Sequence, residues 1–483
     1  MILKELLKEV SVKQIIGSTE CEISGIVFDS RKVDNTTLFV AQRGTSVDGH
    51  DFIGDCIAKG APAIVCETYE AQGGNNNTTI VVVDDSNKAL GLIADTFYHH
   101  PSKHLTLVGV TGTNGKTTIA TLLYRLTRKM GYKAGLLSTV CNYVDDTAIA
   151  STHTTPDAVQ LNSLLAQMVE SGCQYAFMEV SSHSIAQERI AGLQFDGALF
   201  TNLTRDHIDY HKTFDNYRDT KKRLFDNLSA DAFAITNKDD RNGMVMVQNC
   251  KAHVLTYSMH TIADFHARIL EEGFDGMLLD INKHEVFVPL VGRFNVQNLL
   301  CIYGAAISLG FDESEVLRIL STLTAVSGRF ETIYSPKGWT AIVDYAHTPD
   351  AVENVINTIN EIRQKNSKLI TVVGCGGNRD KGKRPMMAQI AKKSSDRLIL
   401  TSDNPRDEEP RDILNDMLAG LTENEQLSTL VIEDRRQAIR TACSLAGKND
   451  VILIAGKGHE DYQIIKGVKH HFDDREEVKM MAQ

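Results

Sequence analysis

A chain of 483 residues is too long for one hydrophobic core and predicts about three domains of ordinary size. With 42% hydrophobic and 23% charged residues and a formal net charge of −11, it has the make-up of a soluble globular protein without the basic surplus of a nucleic-acid binder. No apolar run approaches the ~20 residues of a membrane span, and nine scattered cysteines without a Cys-x-x-Cys pair fit a reducing cytoplasm.

Met1 to Lys13 alternates charged and apolar residues, which predicts an amphipathic helix rather than a signal peptide. Short strands are expected at Ile23 to Asp29, Thr37 to Ala41, Ala63 to Cys66 and Thr79 to Val83, mixed with helical stretches. The polar run Gly73 to Asn77 reads as a loop. This first block ends near Pro101.

The most telling segment comes next. Leu105 to Val110 is a β-branched, apolar run; it breaks into Thr111-Gly-Thr-Asn-Gly-Lys-Thr-Thr118, and Ile119 to Met130 then reads as a helix. Strand, glycine loop and helix in that order are the context of a phosphate-binding loop. Gly112 and Gly115 let backbone N–H groups of the loop, with Thr113, Asn114 and Thr118 beside them, close around phosphate oxygens. The helix N-terminus adds partial positive charge at the same place. Lys116 is placed to reach the β- and γ-phosphates, and the Thr117 hydroxyl to ligate Mg²⁺. Val110 stands where the usual pattern has its first glycine, so this is a variant loop. The segment predicts binding of a nucleoside triphosphate.

Further strands at Tyr175 to Val180, Gly197 to Thr201 and Ala232 to Thr236 alternate with helices, the pattern of a parallel sheet. The strand at Tyr175 ends in Glu179-Val-Ser-Ser-His183, which puts a carboxylate at a strand's carboxyl end where it can hold Mg²⁺. Phe200-Thr-Asn-Leu-Thr-Arg-Asp-His207-Ile-Asp-Tyr-His211 gathers histidine and aspartate groups of the kind that make a metal site, but its spacing matches no zinc pattern and, taken alone, it reads as a solvated loop. Tyr217 to Phe225, taken alone, reads as the basic face of a surface helix. A second block closes near Gly328-Arg329-Phe330-Glu331.

A third block has strands at Trp339 to Asp344, Leu369 to Val373, Arg397 to Ser402 and Val451 to Ala455, each expected to lead through a loop into a helix. That makes a second nucleotide-type α/β domain, with ligands at the carboxyl ends of its strands. Its loops are rich in arginine, asparagine and carboxylates: Gly374 to Pro385 with Arg379, Asp403-Asn404-Pro405-Arg406, and Gly456-Lys-Gly-His-Glu460. Guanidinium groups pair bidentately with carboxylates while aspartate and glutamate hold ammonium groups, so the cluster suits a zwitterionic ligand; a set of solvated loops with internal salt bridges is the alternative.

Taken together these segments resemble the Mur ligases, the ATP-dependent amide-forming enzymes of peptidoglycan precursor synthesis. The resemblance rests on Thr-Gly-Thr-Asn-Gly-Lys-Thr, Glu179-Val-Ser-Ser-His, Asn295 within Gly-Arg-Phe-Asn-Val-Gln-Asn, Ser-Gly-Arg329-Phe-Glu and Asp344-Tyr-Ala-His-Thr-Pro, which stand in the family's order across the whole chain. It implies three α/β domains: 1–101 binding the UDP-sugar, 102–331 a central P-loop ATPase-like parallel sheet, and 332–483 a Rossmann-like amino-acid domain. Thr154-Thr155-Pro156, Asp29-Ser30-Arg31 and above all Asp403-Asn404-Pro405-Arg406 point to the branch that adds a diamino acid to UDP-N-acetylmuramoyl-L-alanyl-D-glutamate. In that branch the arginine accompanies meso-diaminopimelate. A lysine-adding ligase of the same branch is the nearer rival, and a folylpolyglutamate synthetase the more distant one.

The resemblance also implies roles. ATP is the cosubstrate and two Mg²⁺ ions serve it, one held by Thr117 and Glu179, the other by His207 and a carbamylated Lys221; Asn295 and Arg329 contact the nucleotide and Asp344 its ribose. Phe28, Ser30, Thr45, Ser46, Val47, Thr154, Thr155, Ser181, Gln187 and Arg189 meet the UDP-sugar dipeptide. Arg379, Asp403, Asn404, Pro405, Arg406, Gly456 and Glu460 hold diaminopimelate. His153 stands before Thr154 where the resemblance leads one to expect asparagine. A cytoplasmic monomer acting on small molecules, with no nucleic acid or membrane partner, completes the expectation.

Overall fold

Among the described residues, runs rich in β-branched residues form three large sheets, whose central parallel strands are covered on both faces by helices, and a separate two-stranded hairpin completes the fold. The computed structural model describes residues 1–44, 47–70, 77–151 and 153–483. Thr45 and Ser46, expected at the UDP-sugar, lie outside the described residues, as does all of the Gly73 to Asn77 loop except Asn77.

The N-terminal sheet has five strands in the order Val12–Ile16, Thr79–Val83, Ala63–Cys66, Thr37–Val40, Gly25–Val27. The last four are parallel, and Thr37–Val40 and Ala63–Cys66 are buried throughout, which is why they read as continuous apolar runs. The expected helix over Met1 to Lys13 is corrected: only Leu3–Leu6 is helical. Leu3, Leu6 and Leu7 are buried in the core of this sheet, and Val12 then pairs antiparallel with Val83 as an edge strand. Sheet pairing of β-branched residues outweighs a marginal helix propensity there.

The central sheet has eleven strands. Its parallel middle runs His253–Ser258, Phe233–Asn237, Gly197–Phe200, Thr106–Thr111, Tyr175–Glu179, Ala134–Leu137. From Thr106–Thr111 the chain first builds Ala134–Leu137 and Tyr175–Glu179 on one side, then crosses to Gly197–Phe200 and winds outward on the other, so a crevice opens at that strand's carboxyl end. Helices Lys116–Lys129 and Arg293–Ser308 cover one face through Leu122, Leu126, Leu299 and Ile302; Ala158–Glu170 and Phe214–Asp226 cover the other through Leu161, Leu165, Leu224 and Phe225. Antiparallel ribbons, Asn142–Val144 with Thr147–Ile149 and Gly276–Ile281 with His284–Val288, extend the two edges.

The third sheet runs Glu331–Tyr334, Thr340–Asp344, Val451–Ala455, Leu369–Val373, Arg397–Leu400, Thr429–Val431, parallel after the first pair. One expectation is corrected here. Val451–Ala455 leads not straight into a helix but through a hairpin, Tyr462–Ile465 with Val468–His471, before Asp474–Ala482. Lys466 and Gly467 both take positive φ, 47° and 79°, the backbone of a tight two-residue hairpin turn.

Candidate functional site

The loop after Thr106–Thr111 wraps the N-terminus of helix Lys116–Lys129. Gly112 has φ +145°, and a Cβ there would come within 1.9 Å of Thr201 Oγ1. Lys116 Nζ donates to the carbonyls of Gly112 at 2.9 Å and Thr113 at 2.8 Å, so the ammonium lies along the inside of the loop. Burial lowers its pKa, partly offset by Glu179 and Asp206. Asn202 Oδ1 accepts from Asn114 N and Thr201 Oγ1 donates to Asn114 O, which ties the loop to the neighbouring strand.

Glu179 is the hub beside this loop. Its buried carboxylate accepts from Thr117 Oγ1 at 3.0 Å, Ser138 Oγ at 2.9 Å and Thr139 N at 2.8 Å. The parallel register that sets Glu179 opposite Val110 brings it to the loop. Thr155 Oγ1 donates to the Glu179 carbonyl at 2.8 Å and accepts from Ser181 N at 3.1 Å; Thr139 Oγ1 donates to Thr154 Oγ1 at 3.0 Å. Arg189 donates to Thr155 O at 2.8 Å and, through two of its nitrogens, to Gln187 Oε1. Thr154, Thr155, Ser181, Gln187 and Arg189 therefore form one hydrogen-bonded wall next to Glu179. By the N-terminal sheet, Phe28 stands exposed directly after strand Gly25–Val27 and Val47 is exposed in the segment that follows strand Thr37–Val40, with Ser30 opening a short turn capped by Asp29.

Lys221 is on the inner side of helix Phe214–Asp226 and is 1% exposed. Its Nζ donates to Gly112 O at 2.8 Å, and burial, reinforced by the charge of Lys116, holds its pKa well below that of an ordinary lysine. His207 takes a left-handed φ of 53° and sits 3.4 Å from Asp206; its ring meets that of His183 edge-on, centroids 4.8 Å apart. Burial lowers the His207 pKa to about 4 against the pull of Asp206. His183, His207, His211, Tyr210 and Tyr217 make a ring cluster, and Lys221 Nζ lies 4.9 Å from the centroid of its Tyr217 ring.

A cavity of about 420 Å³ lies between the phosphate loop and the third sheet, lined by Asn114, Thr118, Phe294, Asn298, Arg329 and Asp344 among others. Asn295 lies behind its wall: its carboxamide donates to Val291 O at 2.8 Å and accepts from Asn298 at 3.2 Å. Asn298, one turn on, is the residue that faces the cavity, and the sequence reading did not single it out. Asp344 lines the cavity with both oxygens engaged, by Phe330 N and Ala346 N at 2.7 Å each. Burial raises its pKa, opposed first by Arg329.

Arg329 donates to Thr117 Oγ1 at 3.1 Å and lies over the ring of Tyr345, 4.6 Å from its centroid. Tyr345 Oη in turn stands 3.5 Å from Glu460 Oε1. Tyr345 thus joins the phosphate loop to the loops of the third sheet; the sequence quoted it inside a motif without giving it a role. Among those loops, Asn404 Nδ2 donates to Glu460 Oε2 at 2.7 Å, and a Cβ at Gly456 would come within 2.7 Å of Asp403 Oδ2. Arg406, at φ +54°, donates to Gly377 O at 2.8 Å and is bracketed by the hairpin, its N donating to Ile464 O and its carbonyl accepting from Lys466 N. Pro405 is buried beside it, while Arg379 is exposed on the adjacent loop. Beneath both loops the buried Arg384 binds Glu408 twice at 2.9 Å and Asp416 at 2.8 Å.

Among the described residues, no helix is long and apolar enough to cross a membrane. Three family models match the chain: the Mur ligase family catalytic domain at residues 22–98, the Mur ligase middle domain at 110–306 and the Mur ligase glutamate ligase domain at 328–458. A relative from Parabacteroides distasonis named UDP-N-acetylmuramoyl-L-alanyl-D-glutamate--2,6-diaminopimelate ligase is 61% identical, over 99% of this chain and 98% of its own. A relative of the same name from Clostridioides difficile is 42% identical over 99% and 98%. A solved structure of that name aligns over 100% of this chain and 98% of its own at 32% identity and a TM-score of 0.69. Folylpolyglutamate synthase from Mycobacterium tuberculosis shares the fold over 77% of this chain at 16% identity and a TM-score of 0.62.

Proposed function

The chain belongs to the Mur ligase family, and from that premise we propose that it joins meso-2,6-diaminopimelate to the D-glutamate γ-carboxylate of UDP-N-acetylmuramoyl-L-alanyl-D-glutamate in cytoplasmic peptidoglycan precursor synthesis. Membership makes it an ATP-dependent peptide ligase with the three-domain α/β fold of the family. The observation that supports the substrate reading is the contact chain Thr117, Arg329, Tyr345, Glu460, Asn404, which runs from the phosphate loop to the Asp-Asn-Pro-Arg loop. We divide the labour as residues 1–101 for the UDP-sugar, 102–331 for ATP and 332–483 for the amino acid, within a monomer.

The chemistry follows from what a carboxylate lacks. It is a poor electrophile, so the γ-phosphoryl of ATP passes to a carboxylate oxygen, the bond to the β-phosphate bridge breaks, and ADP departs. The amine of the L-centre then attacks the acyl carbon, the carbon–oxygen bond to phosphate breaks, and inorganic phosphate leaves as the nitrogen loses its proton. Lys116, inside the loop, offsets negative charge on the moving phosphoryl group. Thr155, Ser181 and Arg189 orient the D-glutamate end next to Glu179, and Arg329 spans the nucleotide and the third sheet.

The donor set fits Mg²⁺: Thr117 and Glu179 offer hard oxygens side by side, as such a cation requires. A bound Mg²⁺ supplies charge neutralisation at phosphate oxygens. A second ion would be held by His207 and Lys221, the lysine as its carbamate. Carbamylation needs a neutral amine, and the burial that lowers the pKa of Lys221 favours that form.

The test is phosphate release with ATP, Mg²⁺ and the UDP-linked dipeptide, offered meso-diaminopimelate or L-lysine in parallel. Release with diaminopimelate alone is expected. Release driven by lysine would overturn the amino-acid assignment and keep the ligase.

A further inference from the structure

Lys457 has no part in the reading above, yet it is the most enclosed cation of the third sheet's loops. It is 0% exposed. It sits between Gly456 and Gly458, both at positive φ, so the backbone turns its side chain inward at the carboxyl end of strand Val451–Ala455. Its Nζ lies 3.2 Å from Asn404 Oδ1, 3.2 Å from Glu460 Oε2 and 3.8 Å from Asp403 Oδ1, and 5.5 Å from the centroid of the Tyr462 ring. Every acidic or amide group assigned to the distal end of the amino acid therefore already touches a resident ammonium.

We propose that Lys457 is a specificity-determining residue of the amino-acid site: its fixed positive charge, set among Asp403, Asn404 and Glu460, makes that site accept a zwitterionic side-chain terminus and reject a lone ammonium. The inference rests on the substrate reading given above. Asp403 and Glu460 bring two negative charges, and Lys457 cancels one of them, with Arg406 close by on the hairpin side. A terminus with both ammonium and carboxylate adds no net charge to this balance, its carboxylate turning to the guanidinium. A terminus that is only an ammonium adds a second cation beside Lys457 in a desolvated place, where like charges repel far more strongly than in water. Discrimination then comes from a built-in repulsion as well as from the attraction of Arg406.

Lys457 also fixes the site's shape. Asn404 Oδ1 accepts from Lys457 and from Ile464 N at 2.9 Å, while its Nδ2 donates to Glu460, so the amide orientation is set by its neighbours. Gln463 Nε2 donates to Asp403 O at 2.6 Å. The hairpin Tyr462–Ile465 thereby holds both residues against Lys457. Burial and the charge of Asp403 raise the pKa of Glu460, and Lys457 is the first group that opposes them.

The experiment compares Lys457→Gln, which keeps a hydrogen-bond donor and removes the charge, with Lys457→Arg, which keeps the charge. For each, and for the unaltered enzyme, kcat/KM is measured for meso-diaminopimelate and for L-lysine at saturating ATP and UDP-linked dipeptide. The expected result is a fall of tenfold or more in the diaminopimelate-to-lysine ratio for Lys457→Gln, with lysine turnover rising and the KM for ATP within twofold of the unaltered value. Lys457→Arg should keep the ratio within threefold. In Lys457→Gln the KM for diaminopimelate should also become pH-dependent, improving as pH rises, because Glu460 has lost its neighbouring cation. Equal changes for both amino acids, a ratio that survives in Lys457→Gln, or an arginine variant that behaves like the glutamine one would overturn the proposal. An unaltered enzyme that uses lysine in preference would instead overturn the substrate reading itself.

Discussion

Thr117 Oγ1, on the first turn of helix Lys116–Lys129, meets Glu179 Oε2, at the end of strand Tyr175–Glu179, at 3.0 Å, and Arg329 from the far end of the central domain donates to the same hydroxyl at 3.1 Å. One hydroxyl thus ties the phosphate loop, the neighbouring strand and the approach to the third sheet.

Lys116 is the first position to alter. Lys116→Ala removes the ammonium that lies along the loop carbonyls, and turnover should fall below detection in a phosphate-release assay while the fold, read by circular dichroism, persists. Turnover near that of the unaltered enzyme would remove the nucleotide from this loop.

Arg406→Ala should weaken use of diaminopimelate by about 1.5–3 kcal/mol, roughly ten- to hundred-fold in kcat/KM, the scale of a hydrogen bond to a charged group. The KM for ATP should stay unchanged. A loss shared equally by both substrates would mean that Arg406 supports the fold and does not read the carboxylate.

Lys221 should respond to carbon dioxide. Degassed, carbon-dioxide-free buffer should lower turnover and added bicarbonate restore it, and ¹³C NMR with labelled bicarbonate should show a carbamate signal that Lys221→Arg abolishes. No signal and no bicarbonate response would leave Lys221 as a plain buried amine.

His211 gives a stability test. It is buried, and burial, reinforced by His183 and Lys221, lowers its pKa to about 4, below the ~6.5 of an exposed histidine. Between those values the unfolded chain takes up the proton more readily, so this contribution is complete above about pH 6.5 and is lost as pH falls toward 4. Urea titrations should show His211→Asn losing about 1–2 kcal/mol less than the unaltered protein between pH 7 and pH 5. Parallel curves would exclude it.

Arg384 is a different kind of anchor. Its fully buried guanidinium joins the loop of Arg379 to that of Arg406 through Glu408, and holds the Glu408 carboxyl down at about 2. Arg384→Met should cost about 2–3 kcal/mol, at or just below the usual figure for breaking a buried pair because Glu408 and Asp416 keep some water. Since Glu408 is held below its usual range, the Glu408 part of that difference should be present above about pH 4.5 and fade as pH falls toward 2, as acid titrations of both proteins can check.

The phosphate loop was legible because strand, glycines, lysine and helix are contiguous: Lys116 and Thr117 open the helix that follows strand Thr106–Thr111, and Glu179 ends a strand whose apolar pattern announces it. Lys221 was not legible from its own segment. Its neighbours Lys222 and Arg223 make that stretch read as a solvated face, and only the packing of helix Phe214–Asp226 against Gly112 buries the side chain. Asn295 and Asn298 illustrate another limit. Three residues apart on one helix they share a face, and which of them reaches the cavity depends on how the helix is rolled against its sheet. The hairpin over Arg406 was missed because Lys466-Gly467 is a faint turn signal between short, exposed strands.

Asn114, at the tip of the phosphate loop, donates through its side chain to Asp350, on the first turn of helix Pro349–Ile362 in the third domain, at 3.1 Å. Under the division of labour proposed above, the loop for one substrate is therefore partly built on the domain for another. Whatever free energy ATP contributes to holding these two domains together must reappear, by reciprocity, as tighter retention of the amino acid, and the reverse must hold as well. Isothermal titration with each partner present and absent should give one and the same coupling factor from both directions, and Asn114→Ala should reduce both together. A single amide would then account for part of the order in which the substrates assemble.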